Sequence, residues 1–358
     1  MLLERWIAVR PDQARPYEEL ADFTLWERNL GDCNANPEFA DSLTGLALGH
    51  LETALELRAD TTPEDLVRLA ILRLSADDIT GAEDLMGAAF NAYAQSTAIG
   101  QAAVPPPPAA ANLFLSTGRP GRAHEILRPI WDTRTFGAMD PDVSDGVLMA
   151  GPVEPQFGRI LVGGAAGVRG GPLDSLFRAL EDVWSEPAYT ARQKAALGHA
   201  ALGLGIGPAL AASPDVLERW VAGWQEADLD VPPVFLGLAA AQAGSELAGH
   251  WLDSTIAEME AADRVSVTRL FLAATLAARA GRDSMAADLY GRVAACPLRL
   301  DNVDLGWGLR TQSHLFQGIA LQSTGDRPAA ARAFREAARL WQSADAAFDS
   351  VARIAAEN

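Results

Sequence analysis

Residues 266–297 read SVTRLFLAATLAARAGRDSMAADLYGRVAACP, and residues 308–342 read GLRTQSHLFQGIALQSTGDRPAAARAFREAARLWQ. Each stretch is two runs of apolar residues at helical spacing, broken once by a glycine, Gly281 in the first and Gly325 in the second. Counting from Gly325, a small residue, Gly318, stands seven before, Ala330 five after, Phe334 nine after and Ala337 twelve after. The same offsets from Gly281 give Ala274, Ala286, Tyr290 and Val293, with Pro297 closing the second run. Two further anchors share the register: Gly118 with Ala111, Ala123, Leu127 and Ile130, and Asp77 with Ala70, Ala82, Met86 and Ala89. Gly31 and Gly244 fail the same comparison, at Asn36 and Asp253. Small side chains facing each other across a turn let two antiparallel helices approach closely, and the bulky residue one turn on fills the gap toward the next pair. A lone helix hairpin cannot bury both faces, so such units are expected to stack.

The second-helix halves of these units, Ala330-x-x-x-Phe334 and Ala286-x-x-x-Tyr290 followed by Pro297, resemble the tetratricopeptide repeat. The first-helix half of that motif is matched clearly only by Gly318. Turn anchors lie 41 residues apart (77 to 118) and 44 apart (281 to 325), where the family repeats at roughly 34, so longer helices or loops interrupt the series. The resemblance covers 70–95, 108–132 and 266–342. It implies an all-α fold of stacked antiparallel hairpins, an α-solenoid, whose first helices line a concave groove for a peptide or partner protein. By turn offset the groove residues it implies are Thr268, Phe271, Thr275 and Arg279 in one hairpin and Gln312, Leu315, Ile319 and Gln322 in the next.

Ala, Leu, Glu and Arg at helical spacing dominate the rest of the chain, and alternating β-branched runs hardly occur. Helices are predicted over 16–29, 38–57, 63–75, 80–95, 109–117, 121–132, 172–185, 189–203, 214–226, 233–243, 246–261, 264–280, 283–295, 308–323, 327–342 and 344–356. Pro105 to Pro108 form a four-proline run expected to be extended and stiff. Thr135 to Gly171 is Gly- and Pro-rich and reads as an irregular insertion. The organisation expected is N-terminal hairpins over 1–104, one hairpin over 105–134, the insertion over 135–171, and C-terminal repeats with a terminal capping helix over 172–358.

Composition narrows the function. A formal charge of −18 argues against a surface that tracks phosphates, so no nucleic-acid partner is expected, and a basic or neutral protein partner suits it better. Lys194 is the only lysine among 29 basic residues, a bias typical of a high-GC bacterial coding sequence. No run is long and apolar enough to span a bilayer, and the opening MLLERWIAVRP lacks the apolar core of a secretory signal. Cys33 and Cys296 have no metal-ligand spacing; buried, reduced thiols in a cytoplasmic protein are expected, a long-range disulfide being the alternative.

Four motifs carry possible chemistry, and each has a plainer reading. Gly163 to Gly171, after Ile160-Leu161-Val162, could cradle a phosphate but lacks the Lys-Ser/Thr of a P-loop, so a flexible glycine-rich loop is expected. Asp140 to Gly146 alternates oxygen donors as calcium loops do, without the closing glutamate, and reads as a turn. Asp77-Asp78 with Glu83-Asp84 could hold magnesium, but the repeat places the pair in a turn. Trp220 and Trp224, on one helix face, read as core. The histidines at 50, 124, 199, 250 and 314 show no paired spacing. No cofactor, metal ligand or catalytic residue is therefore assigned. The alternatives to a binding scaffold are an all-α enzyme or small-molecule binder with its pocket near 135–171, and a self-associating structural subunit.

Overall fold

Helices in this chain start where a short polar side chain can turn back on the backbone. Asn36 accepts from Glu38 N at 3.0 Å, Ser266 from Arg269 N at 3.2 Å and Asp326 from Ala329 N at 3.1 Å. Thr62 and Asp65 form a reciprocal capping box, and Pro63 sits in the first turn where its missing N–H costs nothing. The computed structural model describes residues 2–29, 33, 36–98, 106–119, 121–123, 125–127, 135–136, 151–152, 214–226, 231–262, 264–298, 300 and 306–345. Its helices are α1 (Leu2–Val9), α2 (Ala14–Asn29), α3 (Pro37–Glu56), α4 (Pro63–Ser75), α5 (Ile79–Ala98), α6 (Ala111–Ser116), α7 (Pro214–Glu226), α8 (Pro233–Gln242), α9 (Leu247–Ala261), α10 (Val267–Arg279), α11 (Asp283–Ala295), α12 (Gly306–Thr324) and α13 (Arg327–Leu340). Among the described residues the only extended pairing is two residues long, Thr135–Phe136 with Gly151–Pro152 antiparallel, so the fold is all-α. Of the proline run, Pro107 is extended (φ −58°, ψ 144°), as expected, while Pro108 opens a single 3-10 turn, Pro108–Ala110, leading into α6.

The turns joining paired helices share one construction. Asp77, Gly244, Gly281 and Gly325 take φ of 62°, 65°, 71° and 88°. The next residue's N–H then reaches back five residues: Asp78 N to Arg73 O, Ser245 N to Ala240 O, Arg282 N to Ala277 O and Asp326 N to Leu321 O, all at 2.8–3.0 Å. This left-handed stop satisfies carbonyls at the helix end and reverses the chain. Gly244 therefore belongs with the others, although its offsets failed in sequence. At that hairpin the bulky position moves back by one, to Leu252 (0% exposed), leaving Asp253 on the surface.

The repeat offsets mark contacts. Ala70, Ala82, Ala89, Ala274, Ala286, Val293, Ala330 and Ala337 are all buried, as are Met86, Leu127, Tyr290 and Phe334 at the bulky position. A Cβ added to Gly318 would lie 2.6 Å from Phe334 Cε1, so the ring fills the space where the missing side chain would stand. Thr275 Oγ1 meets Tyr290 OH at 3.1 Å across the Gly281 turn. These cross-turn contacts fix α10–α11 and α12–α13 as antiparallel hairpins, and α11 packs on α12, making the two hairpins neighbours. Rings of Phe271, Tyr290 and Phe316, with centroids 5.5–6.0 Å apart, knit them together.

Contacts divide the chain into two compact units: residues 1–114 with 296–304, and residues 115–295 with 305–358. Sequence reading expected only continuous segments. In the first unit α2 pairs with α3, α4 with α5, and α3 touches α4. Arg28 (5% exposed) is its polar centre: the guanidinium donates to Thr44 Oγ1 at 2.8 Å, to Ser75 Oγ at 3.0 Å and to the carbonyl of Leu298. Hydrogen bonds from a charged donor contribute roughly 1.5–3 kcal/mol each, so this one side chain clasps α3, α4 and the returning segment to α2. Cys33 and Cys296 form a disulfide at the same place, which corrects the expectation of two reduced thiols. The pairing could not be read from spacing because the partners are 263 residues apart and meet only when the chain returns to its first unit. In the second unit, Thr311 Oγ1 donates to Ser116 O at 2.8 Å, and Trp341 lies against Gly118.

Candidate partner-binding surface

In the second unit the helices that precede each turn form a row. α8 packs on α10 and α10 on α12, while α9, α11 and α13 pair with them as the returning helices. The eight groove positions fall on two of these helices and separate by burial. On α10, Thr268 and Phe271 are buried, Thr275 is half-buried and bonded to Tyr290, and Arg279 is exposed. On α12, Gln312 and Leu315 are buried while Ile319 and Gln322 are exposed. Gln312 bonds back to Gly308 O at 3.4 Å, and Phe271 is in the ring cluster, so these side chains hold the helices together. The exposed positions of the eight lie at the turn-proximal end of the row: Arg279, Ile319 and Gln322. Ile319, 43% exposed, is one of two large apolar side chains that the described part of this unit leaves exposed; the other is Leu247.

A charged cluster spans α12 and α13. Arg339 holds Glu336 in a two-pronged ion pair, with Nε to Oε2 at 3.0 Å. That hydrogen bond, aided by the nearby charges of His314 and Arg310, lowers the Glu336 pKa below the ordinary carboxylate range. Arg310 also stacks over Trp307, with its guanidinium carbon 5.7 Å from the ring centre. The arrangement presents three basic side chains around one carboxylate in a chain whose net charge is −18.

The other sequence motifs resolve as follows. Asp77 is the left-handed turn residue. Asp78 caps α5 by accepting from Gly81 N at 3.0 Å and pairs with Arg73 at 2.9 Å, which lowers its pKa. Asp77 thus serves the turn through its backbone and Asp78 the helix start through its carboxylate. Among the described residues no three His, Cys, Asp or Glu side chains are grouped to hold a metal, and no helix is long and apolar enough to cross a membrane. His50 rests 6.4 Å from the Tyr17 ring, and burial lowers its pKa. Gly163–Gly171, Asp140–Gly146, His124, His199 and the side chains of Trp220 and Trp224 lie outside the described residues. Comparison with protein-family models, curated proteins and solved structures finds no match.

Two features went unread in the sequence. Arg28 has no motif, and only its place among Ala21 and Thr24 on the buried stripe of α2 could have signalled a buried cation. The exposed aromatics Phe23, Trp26 and Phe39 lie off the buried stripes of α2 and α3, a pattern visible in principle from helical periodicity.

Proposed function

We propose that this chain is a protein-interaction module of tetratricopeptide-like, solenoid architecture, capturing an extended peptide segment along the row α8–α10–α12. The observation that supports the reading is the contact of each leading helix with the next, α8 on α10 and α10 on α12, with Arg279, Ile319 and Gln322 exposed near its end. Cation, apolar side chain and amide suit a segment whose backbone is recognised by polar groups and whose side chains seat on an apolar contact. The Cys33–Cys296 disulfide supports an oxidising setting over the reducing cytoplasm, where such bonds are rare.

The test is affinity capture from the source organism by the intact chain, read by mass spectrometry and repeated with Arg279→Glu plus Ile319→Asp. Because both positions are exposed, the variant is expected to melt with the wild type and lose the captured protein. Capture unchanged by the double substitution removes this surface from the function.

A further inference from the structure

We propose that the outer side of α13 is a docking surface for an acidic, extended segment of a partner protein. Ala330, Ala333, Phe334, Ala337 and Leu340 of this helix are buried, while Arg327, Arg332 and Arg335, off that stripe, are exposed. The α12–α13 hairpin holds five arginines against two carboxylates, Asp326 and Glu336. Neither carboxylate is left to neutralise the three. Asp326 caps the helix by accepting from Ala329 N at 3.1 Å, and Glu336 is held by Arg339. Among the described residues, Arg327, Arg332 and Arg335 accordingly form no ion pair. The first unit is built the other way. Residues 1–104 hold seven arginines and eighteen carboxylates, and Arg15, Arg58, Arg68 and Arg73 each bind one.

The helix itself gains nothing from these positions. Arg327 stands in the first turn, at the positive end of the helix dipole, where a carboxylate is favoured. Arg335 is three residues after Arg332 and four before Arg339, the spacings at which like charges meet and repel. Side chains that work against their own helix are expected where function overrides stability. Spacing then sets the form of the partner. At ~1.5 Å per residue, Arg332 and Arg335 stand roughly 7.5 and 12 Å along the axis from Arg327. A strand-like segment repeats side chains on one side every ~6.8 Å, so three acidic residues at alternate positions span ~13.6 Å and reach all three guanidiniums. Each guanidinium fork takes a carboxylate through two parallel N–H donors. Ala331, on the stripe between Arg327 and Arg335, is too short to hold the segment off. The net charge of −18 favours a basic or neutral partner for the chain as a whole, but it is screened beyond ~8 Å at physiological salt, and within that distance this side is positive. A nucleic acid fits less well, because it draws its affinity from a longer basic track than one helix supplies. α13 is a returning helix, so the docking surface stands whether or not a peptide lies along the α8–α10–α12 row.

The test is fluorescence anisotropy at an ionic strength of about 0.15 M, with the intact chain titrated into a labelled peptide of alternating Glu and Ser. The same peptide with Gln in place of Glu, and a labelled oligothymidine, are titrated beside it. The expected result is binding of the Glu peptide and not of its Gln counterpart. Arg327→Gln, Arg332→Gln and Arg335→Gln together should weaken it by about tenfold or more, the combined effect of three exposed charge pairs, without lowering the melting temperature. Arg335→Glu alone, which places a carboxylate four residues before Arg339, should also weaken binding and decides if the triple variant does not fold. Arg279→Glu with Ile319→Asp should leave the affinity unchanged, which separates this surface from the row of leading helices. Equal binding of the Glu and Gln peptides, an affinity indifferent to the α13 substitutions, or oligothymidine bound as tightly as the Glu peptide overturns the proposal.

Discussion

Replacing Gly318 by alanine isolates the contact on which the hairpin architecture rests. In an exposed helix interior the change stabilises by about 1 kcal/mol, because glycine is the costlier residue to order. Gly87, on α5 with nothing within 4 Å of a built Cβ, is the control that should show this gain. At Gly318 the new methyl would stand 2.6, 2.7 and 2.9 Å from three ring carbons of Phe334, which is 2% exposed and has no free space to swing into. Forcing a methyl into a packed core costs about 1–3 kcal/mol, so the two alanine variants should differ by that amount. For a unit of this size each 1 kcal/mol moves the melting temperature by roughly 2–4 °C. Thermal and urea unfolding followed by circular dichroism read the difference. Adding Phe334→Leu should return part of the loss specific to Gly318, a coupling absent at Gly87. If Gly318→Ala and Gly87→Ala are equally stabilising, small-against-bulky packing across the turn is not what joins α12 to α13.

Reducing the disulfide should lower the melting temperature and slow the band on a denaturing gel. For partners 263 residues apart, loop closure gives an upper bound of about 5.6 kcal/mol. Two titratable thiols in the denatured, unreduced chain would refute the pairing. Glu336→Gln should flatten the acid limb of stability. A lowered carboxylate pKa contributes stability above the unfolded value of about 4.3, and that contribution is lost as pH falls through the folded value. The side chains of Glu336 and Arg339 are 32% and 37% exposed, so the effect should be under ~1 kcal/mol; identical acid midpoints for variant and wild type would contradict the pairing.

The hairpins were legible because their determinants are local. A positive-φ residue, a small side chain seven before it and a bulky one nine after all lie within one turn and two helices, and the predicted 63–75, 214–226 and 283–295 match α4, α7 and α11 residue for residue. Gly244 escaped because the rule demanded the bulky residue at a fixed offset. Packing accepts it one position earlier when Gly237 lets Leu276 approach, a Cβ there lying 2.5 Å from Leu276 Cδ2. Helix α1, Leu2–Val9, was missed because eight residues are too few for a periodic signal.

The surface was less legible for a reason that turn offsets conceal. An offset from the turn fixes the angle of a side chain around its helix, but not which neighbour stands at that angle. Thr268 and Phe271 share the leading-helix side with Arg279, yet the first two are covered and the last is not. Coverage depends on what neighbouring helices bring: Phe316 from α12 packs against Phe271, whereas Ile319, the counterpart of the half-buried Thr275 one hairpin earlier, is 43% exposed. The same reasoning applies to Cys296, whose partner is set by the return of 296–304 to a unit built from the first 114 residues. Local sequence therefore specifies the hairpin, and the order in which hairpins are laid against one another specifies which of their side chains are left exposed.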